Sequence, residues 1–412
     1  MQTQDNWQGT QSPAQWAVRY LAVAGLGALA ASVPLAHVGW HIALQNPEPM
    51  YSTRHQKPLP TPTLSSLADG SYMAQTEKSL QESAPFTWHL RSNWHELRLA
   101  LGWPRGTDVR VGQDDWFFLA ESLAPDIDSW KRGRGARMAL LQQVKSSVEA
   151  TGAKLVISLV PDKERVYPDK WYPNGDMPDN KRGNYALALA EFSEAGIRAI
   201  DLALAMEQGR VSHPGVDLYF RRDTHWNVAG AFVASSAMAS FLEGNYSAAI
   251  GPRMKASARS TGKSLLVGDL VGMMGLGTLD LRINGAADLT HPEAFSLITY
   301  KLRELVESYA IDIADTESAK LVDGNDSEAC VWLVGTSFAN ANGAAALALQ
   351  LARPIRWTIQ FGASGLSAMR AALPEMSKQR QARLVVWEIV ERGYFSPEWS
   401  SSSIPTAVSS GG

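Results

Sequence analysis

The sequence predicts an α/β protein in which a parallel sheet is flanked by helices. A fully apolar segment at 155–160 is typical of a strand that is buried on both faces of a sheet. It lies between two helix-like segments at 136–150 and 185–194, each followed by a glycine at which a helix can end. The same alternation of strand and helix returns between 330 and 390.

The amino-terminal part of the chain predicts a membrane anchor. Residues 20–44 are apolar and almost uncharged, which is long enough for one crossing at ~1.5 Å per residue. Arg19 stands on the amino-terminal side and favours a cytoplasmic amino terminus with the rest exported. A cleaved signal peptide is the alternative, but the apolar run is longer than a usual signal sequence.

Four parts of the chain follow from this pattern. Residues 1–45 form a cytoplasmic tip and the transmembrane anchor, and the proline-rich residues 46–63 form an extended linker. The folded domain is expected over 64–398, with an irregular, glycine-rich and serine-rich insertion at about 245–328 that covers or shapes the site. The serine-rich residues 399–412 are expected to be a disordered tail.

Polar residues follow the predicted strands at the carboxyl edge of the sheet, where open α/β sheets bind their ligands. Asp162 and Lys163 come directly after the strand at 155–160, and could reach a substrate or belong to a solvated loop. Arg392 stands at the end of the last strand, 384–390, and is a further candidate for substrate binding.

The stretch Asp223-Thr224-His225-Trp226-Asn227 has the composition of a site. In extended backbone, residues two apart point the same way, so Asp223 can orient His225 as a general base. Asn227 is a good cap for a helix at 228–242.

Ser337 is the candidate nucleophile. It follows the apolar strand at 331–334 through Gly335, where a strand turning into a helix presents a hydroxyl at the sheet edge and nearby amides can hold an oxyanion. Asp223, His225 and Ser337 would then form a triad for acyl transfer. On spacing alone this signal is weak, because both short motifs are common by chance.

Composition excludes several classes of function. The 412-residue chain has a net charge of −3 and no long basic runs, which argues against nucleic acid as a partner. Its single cysteine, Cys330, excludes an internal disulfide, and the histidines show no spacing of paired metal ligands. Fourteen tryptophans, Trp226 among them, would suit sugar faces if exposed, although packing against the core is the alternative.

Several blocks in a fixed order resemble the alginate O-acetyltransferase family of AlgJ and AlgX, within the SGNH hydrolase-like class. The blocks are Gly112-Gln113-Asp114-Asp115-Trp116-Phe117-Phe118, Val160-Pro161-Asp162-Lys163 with Tyr167-Pro168, Asp223-Thr224-His225-Trp226, Gly335-Thr336-Ser337-Phe338 and Val386-Trp387-Glu388-Ile389-Val390-Glu391-Arg392. The resemblance implies that Asp223, His225 and Ser337 are the catalytic triad.

The resemblance also implies a location and partners. It implies a periplasmic domain, held at the inner membrane, that acetylates a polysaccharide such as alginate or a related exopolysaccharide. The acetyl donor would be a membrane-embedded acyltransferase of the AlgI kind, and no cofactor or metal is expected, since nothing resembles a coenzyme A site.

Two departures leave alternatives open. Thr336 stands where generic SGNH enzymes have Asp, and their oxyanion Asn has no secure counterpart. Asn340 and Asn342 lie near Ser337, but a loop or capping role fits them equally. An acetyl esterase with the same triad and a non-catalytic polysaccharide-binding subunit are the alternative functions.

Overall fold

The computed structural model describes residues 108–274, 303–314, 320–321, 329–362, 364–378 and 382–401. They all belong to one of two compact units of the chain, His95–Gly277 with Asp288–Gly412. The predicted anchor, the linker and residues 64–107 lie outside the described residues. In the part of the chain that is described, no helix is both long and apolar enough to cross a membrane.

The described strands all lie in three sheets. In chain order they are β1 Val109–Val111, β2 Phe117–Leu119, β3 Lys154–Val160, β4 Arg198–Asp201, β5 Lys255–Val267, β6 Arg303–Ala314, β7 Lys320–Leu321, β8 Val331–Gly335, β9 Ile355–Ile359 and β10 Leu384–Val390.

Helices connect and cover these strands. The α-helices of the described residues are α1 Ala120–Leu123, α2 Ile127–Arg132, α3 Arg134–Glu149, α4 Lys163–Val166, α5 Asp179–Glu194, α6 Leu202–Ser212, α7 Val228–Tyr246, α8 Asp269–Met273, α9 Ala344–Leu351, α10 Leu366–Lys378, α11 Glu391–Tyr394 and α12 Glu398–Ser401. A π-helical turn, Ala339–Gly343, precedes α9.

The central sheet is parallel throughout and has the order β4-β3-β10-β8-β9. The last strand in sequence, β10, therefore lies between β3 and β8. Because parallel strands share a carboxyl edge, the residues that follow β3, β8 and β10 are neighbours there. This order brings Asp162, Ser337 and Arg392 to the same edge although they are far apart in sequence.

Both faces of the central sheet are buried. Alternate residues of β10 point to opposite faces, with Val386 and Val390 in one apolar cluster and Trp387 and Ile389 in the other. Helices α6, α7 and α9 cover the first face, and α3, α5 and α10 cover the second. Each buried aliphatic side chain of this size stabilises the fold by about 1.5–3 kcal/mol, which explains the near-continuous apolar runs of β3, β8 and β10.

The structure confirms the predicted α/β fold with a helix-flanked parallel sheet, and it differs from the sequence analysis in two places. Part of the predicted irregular insertion is regular, since β5 and β6 form a long antiparallel pair with one register shift between Ser260 and Gly262. At the carboxyl end, Trp399 lies at the start of the predicted tail but is fully buried within α12. Its ring packs against Tyr394 and Trp387, and this burial explains why the chain is ordered there.

A buried ion pair joins α3 to α5 on the second face of the sheet. Arg137 is fully buried and donates from Nε and Nη2 to the two carboxylate oxygens of Glu191, at 2.8 Å each. The Tyr394 hydroxyl donates to Glu191 at 2.7 Å. Such a pair is costly to break on one side only, because the remaining charge is left buried without a counter-ion.

We therefore expect Glu191→Gln to lower the free energy of unfolding by about 3 kcal/mol or more. Glu194→Gln is the matched control on the same helix. Glu194 pairs with Arg134 with both side chains about half exposed, so its loss should change stability by less than about 1 kcal/mol. Urea denaturation followed by tryptophan fluorescence measures both, and equal effects would contradict this account of the buried pair.

Candidate active site

The Asp223 and His225 side chains lie in the loop that joins α6 to α7. Tyr219 and Trp226 form an isolated antiparallel bridge, and Phe220 N donates to His225 O at 3.2 Å. These contacts close a tight turn around Asp223. The Asn227 side chain accepts from Gly230 N at 3.0 Å and caps α7, as the sequence predicts.

Asp223, His225 and Ser337 form a continuous line of hydrogen-bonding atoms. Asp223 Oδ1 lies 2.6 Å from His225 Nδ1, and His225 Nε2 lies 2.7 Å from Ser337 Oγ. The Asp223 side chain is 8% exposed and that of His225 is 18% exposed. The acid is therefore shielded from water, while the imidazole and the partly buried Ser337 remain open to a substrate.

Asp223 is held in its ionised form. Burial alone would raise its pKa, but the hydrogen bond and charge of His225 and the amides of Asp269 and His225 lower the pKa below its ordinary value. Asp269 N donates to Asp223 Oδ2 at 2.8 Å, and His225 N donates to Asp223 Oδ1 at 2.9 Å. An ionised carboxylate at this position orients the ring through its Nδ1–H and can stabilise an imidazolium.

Lys163 fixes the backbone of this loop. Its Nζ donates to the carbonyl oxygens of Phe220, Arg221 and Asp223 at 3.1, 3.1 and 2.8 Å. Burial lowers the pKa of Lys163 to about 8, against the opposing charges of Glu304, Asp223 and Asp269. All three donors of the ammonium group thus point to the loop that carries the acid and the base.

The inserted segment supplies a second support. The Asp269 carboxylate accepts from Thr224 N at 2.7 Å and from the Thr224 hydroxyl. Glu304 on β6 accepts from Arg221 N and Arg222 N at 2.7 and 2.8 Å. Gly268 lies so close to the loop that a Cβ there would come within 2.1 Å of Arg222 O, so only glycine permits this approach.

The turn that carries Ser337 is hydrogen-bonded to Glu388 on β10. Thr336 donates to Glu388 Oε1 from its hydroxyl at 2.6 Å and from its amide at 3.1 Å. Phe338 N donates to Thr336 Oγ1 at 3.2 Å. Ser337 stands between these two residues, so the turn that carries it is tied to the centre of the sheet.

The residues predicted to contact substrate are mostly buried. Asp162 and Lys163 are at most 5% exposed, and Trp226 is fully buried, with its Nε1 donating to Phe338 O at 3.1 Å. The expected contacts of Asp162, Lys163 and Trp226 with substrate do not fit the structure, because protein encloses each of these side chains. Asn340 is exposed on the π-helical turn three residues after Ser337.

Asp162 and Arg392 take part in a buried charged network behind the site. Lys181 Nζ lies 3.0 Å from Asp162 Oδ2 and 3.0 Å from Glu164 Oε1, and Arg392 Nη1 lies 3.4 Å from Asp162 Oδ1. Burial raises the pKa of Asp162 to about 7. Glu391 is equally buried, but Lys181 and Arg165 hold its pKa at about 2. Arg392 therefore contributes to this network rather than standing free at the sheet edge.

Sequence reasoning missed Asp269, Glu304 and the role of Glu388. Asp269 and Glu304 lie in the segment that was predicted to be irregular, and nothing in their local sequence marks them. Glu388 gave a signal, since a carboxylate in an otherwise apolar strand needs a partner, but its partner Thr336 is 52 residues away.

Two carboxylates and one imidazole at the site also have the composition of a metal site. Ligand atoms of Asp223, His225 and Asp269 lie within 4.8 Å of one another, and they are the one such group found among the described residues. All three groups already take part in hydrogen bonds of the loop. Asp223 Oδ1 pairs with His225 Nδ1, and the Asp269 carboxylate accepts from Thr224 N. The arrangement therefore satisfies these groups without an ion.

Comparisons with known proteins identify the family of the chain. The family model described as an SGNH hydrolase-like domain, acetyltransferase AlgX, matches residues 109–391. A protein of Pseudomonas syringae named probable alginate O-acetylase AlgJ is 24% identical over 373 residues, which cover 85% of this chain and 87% of the relative. An AlgJ of Pseudomonas putida with the same name is 31% identical over 132 residues, 32% of this chain and 33% of the relative.

Among solved structures, the O-acetyltransferase domain of Pseudomonas putida AlgJ has a similar fold. It aligns with a TM-score of 0.54 and 23% identity, and the alignment covers 71% of this chain and 97% of that domain. The family match spans the whole central sheet, from β1 to the start of α11, and includes Asp223, His225 and Ser337. The chain belongs to the AlgX family of acetyltransferases with an SGNH hydrolase-like domain.

Proposed function

We propose that this protein is an O-acetyltransferase that moves acetyl groups onto hydroxyls of an exported polysaccharide through an acetyl-serine intermediate. The observation that carries the proposal is the line from Asp223 through His225 to Ser337, with successive distances of 2.6 and 2.7 Å. A nucleophile, a base within hydrogen-bond reach and a third group that orients the base are the requirements of covalent acyl transfer.

In the first half-reaction, Ser337 Oγ attacks the carbonyl carbon of the acetyl donor while His225 Nε2 takes its proton. The donor's leaving group departs with that proton, and the acetyl group remains on Ser337 as an ester. Asp223 keeps the proton of Nδ1 in place and stabilises the imidazolium that forms. Ser337 opens a helical segment, so its N–H is one of the free donors of a helix start and can stabilise the oxyanion.

In the second half-reaction, His225 takes the proton of a sugar hydroxyl, which attacks the acetyl-serine carbonyl. The ester bond to Ser337 breaks, and His225 returns the proton to Ser337 Oγ. Since water can replace the sugar hydroxyl, the same groups would also hydrolyse an acetyl ester. Transfer and hydrolysis are distinguished by supplying a chromogenic acetyl ester with and without an oligosaccharide and by following the acetylated sugar.

The source of the acetyl group and the location complete the proposal. The apolar residues 20–44 would anchor the chain in the inner membrane with the catalytic domain in the periplasm. A membrane-embedded acyltransferase of the AlgI kind would load Ser337. The relatives are named for alginate, which makes alginate or a related exopolysaccharide the acceptor to test first.

We expect Ser337→Ala to lower acetyl transfer by about 10³-fold or more, because it removes the oxygen that lies 2.7 Å from His225 Nε2 and would carry the acetyl group. The exposed Ser377 on α10 gives the control variant Ser377→Ala, which should keep full activity. Intact-mass measurement after incubation with the ester should find one added acetyl group on wild type and none on Ser337→Ala. Acetylation of the Ala variant at the wild-type rate would refute the assignment of Ser337.

We expect Asp269→Ala to lower kcat by up to about 100-fold, since Thr224 loses its acceptor and the loop that places His225 is freed. Asp312→Ala is the matched control on the same inserted segment, where Asp312 pairs with Arg259 away from the loop. Steady-state hydrolysis of the ester by both variants makes the comparison. An equal loss in the two variants would mean that the segment acts through general stability.

A further inference from the structure

Glu388 is a carboxyl group in an apolar layer. It lies in the middle of β10, is 2% exposed, and points to the same face of the sheet as Val386 and Val390. Its neighbour in register on β3 is the fully buried Ser158, whose hydroxyl is bonded to Met238 Sδ. Burying a polar group in such a layer is unfavourable unless it has a specific partner.

The partner of Glu388 is Thr336, in the turn that carries Ser337. Glu388 Oε1 accepts both the hydroxyl and the amide of Thr336, at 2.6 and 3.1 Å, and the Thr336 hydroxyl oxygen in turn accepts from Phe338 N at 3.2 Å. The residues on both sides of Ser337 are thereby connected to one carboxyl group.

Gly335 makes this contact possible. A Cβ at position 335 would lie 3.3 Å from Glu388 Cβ and 2.9 Å from Ala339 Cβ, so a side chain there would push the turn away from β10. The strand, the glycine and the threonine form a continuous support beneath Ser337.

We infer that Glu388 is a positioning residue of the acetyl-transfer reaction, which acts through Thr336 to hold the Ser337 hydroxyl in line with His225. This inference rests on the proposed role of Ser337. A carboxylate at position 336 would face the Glu388 carboxyl group, whereas the Thr336 hydroxyl donates to Glu388 and accepts from Phe338 N.

The charge state of Glu388 agrees with this role. Burial raises its pKa to about 7, although Thr336, the His225 charge and the Ala339 amide favour the ionised form. Of the groups packed against it, Thr336, directly after β8, and Ser158 on β3 are uncharged, and the charge of His225 acts on it. The carboxyl group is therefore mostly neutral below pH 7.

A positioning role is tested by four variants assayed with a chromogenic acetyl ester. Glu388→Met and Thr336→Val remove the two sides of the contact and should each lower kcat by up to about 100-fold with little change in KM. Glu388→Gln and Thr336→Ser keep an acceptor and a donor and should restore most of that loss. Ser158→Ala, which changes the same buried layer beside Glu388, is the matched control and should keep wild-type kcat.

The double variant Thr336→Val/Glu388→Met separates a shared contact from two independent effects. If the contact is shared, the double variant loses no more kcat than either single variant. Additive losses, or a wild-type kcat in both single variants, would overturn the inference. If Glu388→Met fails to fold, the comparison of Thr336→Val with Thr336→Ser decides. A loss of kcat in Thr336→Val that Thr336→Ser recovers assigns the effect to the hydroxyl group.

Labelling of Ser337 by phenylmethylsulfonyl fluoride gives a readout that does not depend on acetyl transfer. If Glu388→Met and Thr336→Val are labelled more slowly than Ser158→Ala, the positioning role is supported. This holds even if wild type does not turn over the ester, a result that would overturn only the proposed function. Equal labelling rates in all variants would overturn the role of Glu388 while leaving the triad intact.

The pH dependence of stability gives a second independent readout. A carboxyl group whose pKa rises from 4.5 to about 7 on folding keeps a proton that the unfolded chain releases. Its contribution is therefore present below about pH 4.5 and is lost as the pH rises towards 7. Between about pH 4.5 and 7, the free energy of unfolding of wild type should fall relative to that of Glu388→Gln. If the two proteins show the same dependence of this free energy on pH, Glu388 is not a buried neutral acid.

Discussion

The desolvation of Lys163 is the constraint on which the active-site loop depends. Its ammonium group lies beside the rings of Trp116 and Phe118, 5.6 and 5.2 Å from their centroids, where water cannot satisfy its donors. Three backbone carbonyls of the loop at 220–223 take those donors instead. These three bonds stabilise the buried ammonium group and hold the loop in the arrangement that places Asp223 and His225.

This constraint explains why the inserted segment is attached where it is. Lys163 satisfies the carbonyls of the loop but leaves its amides free. Glu304 accepts the amides of Arg221 and Arg222, and Asp269 accepts that of Thr224. Lys163 on α4 thus binds three carbonyls of the loop, and the insertion accepts three of its amides. Two parts of the chain that are remote in sequence thus complete one set of backbone hydrogen bonds, as buried peptide groups require.

The sequence predicts the parts of this structure whose signal is local. The strand at 384–390 was predicted with the bounds that the structure has, because a fully buried strand carries a continuous apolar run. The strand at 255–267 was missed because its side chains are largely exposed and small, so its pairing with β6 depends on backbone hydrogen bonds and leaves no hydrophobic pattern. Asp223, His225 and Ser337 could be named from short motifs. Asp269 and Glu388 could not be assigned roles, because each depends on a partner that only the strand order brings near.

Two carboxyl groups close to the same imidazole are kept in opposite charge states by their surroundings. Asp223 receives the ring Nδ1–H and two amides, which together outweigh its burial and lower its pKa, so it remains an anion. Glu388 receives the amide and hydroxyl of Thr336, and the Ala339 amide also favours its ionised form, but burial in an apolar layer dominates and raises its pKa to about 7. An anion at Glu388 would draw the imidazolium towards the sheet as Asp223 draws it towards the loop. With Glu388 neutral, the nearby carboxylates on His225 are Asp223 and Asp269, whose oxygens lie 2.6 and 3.7 Å from Nδ1, and Nε2 is left facing Ser337.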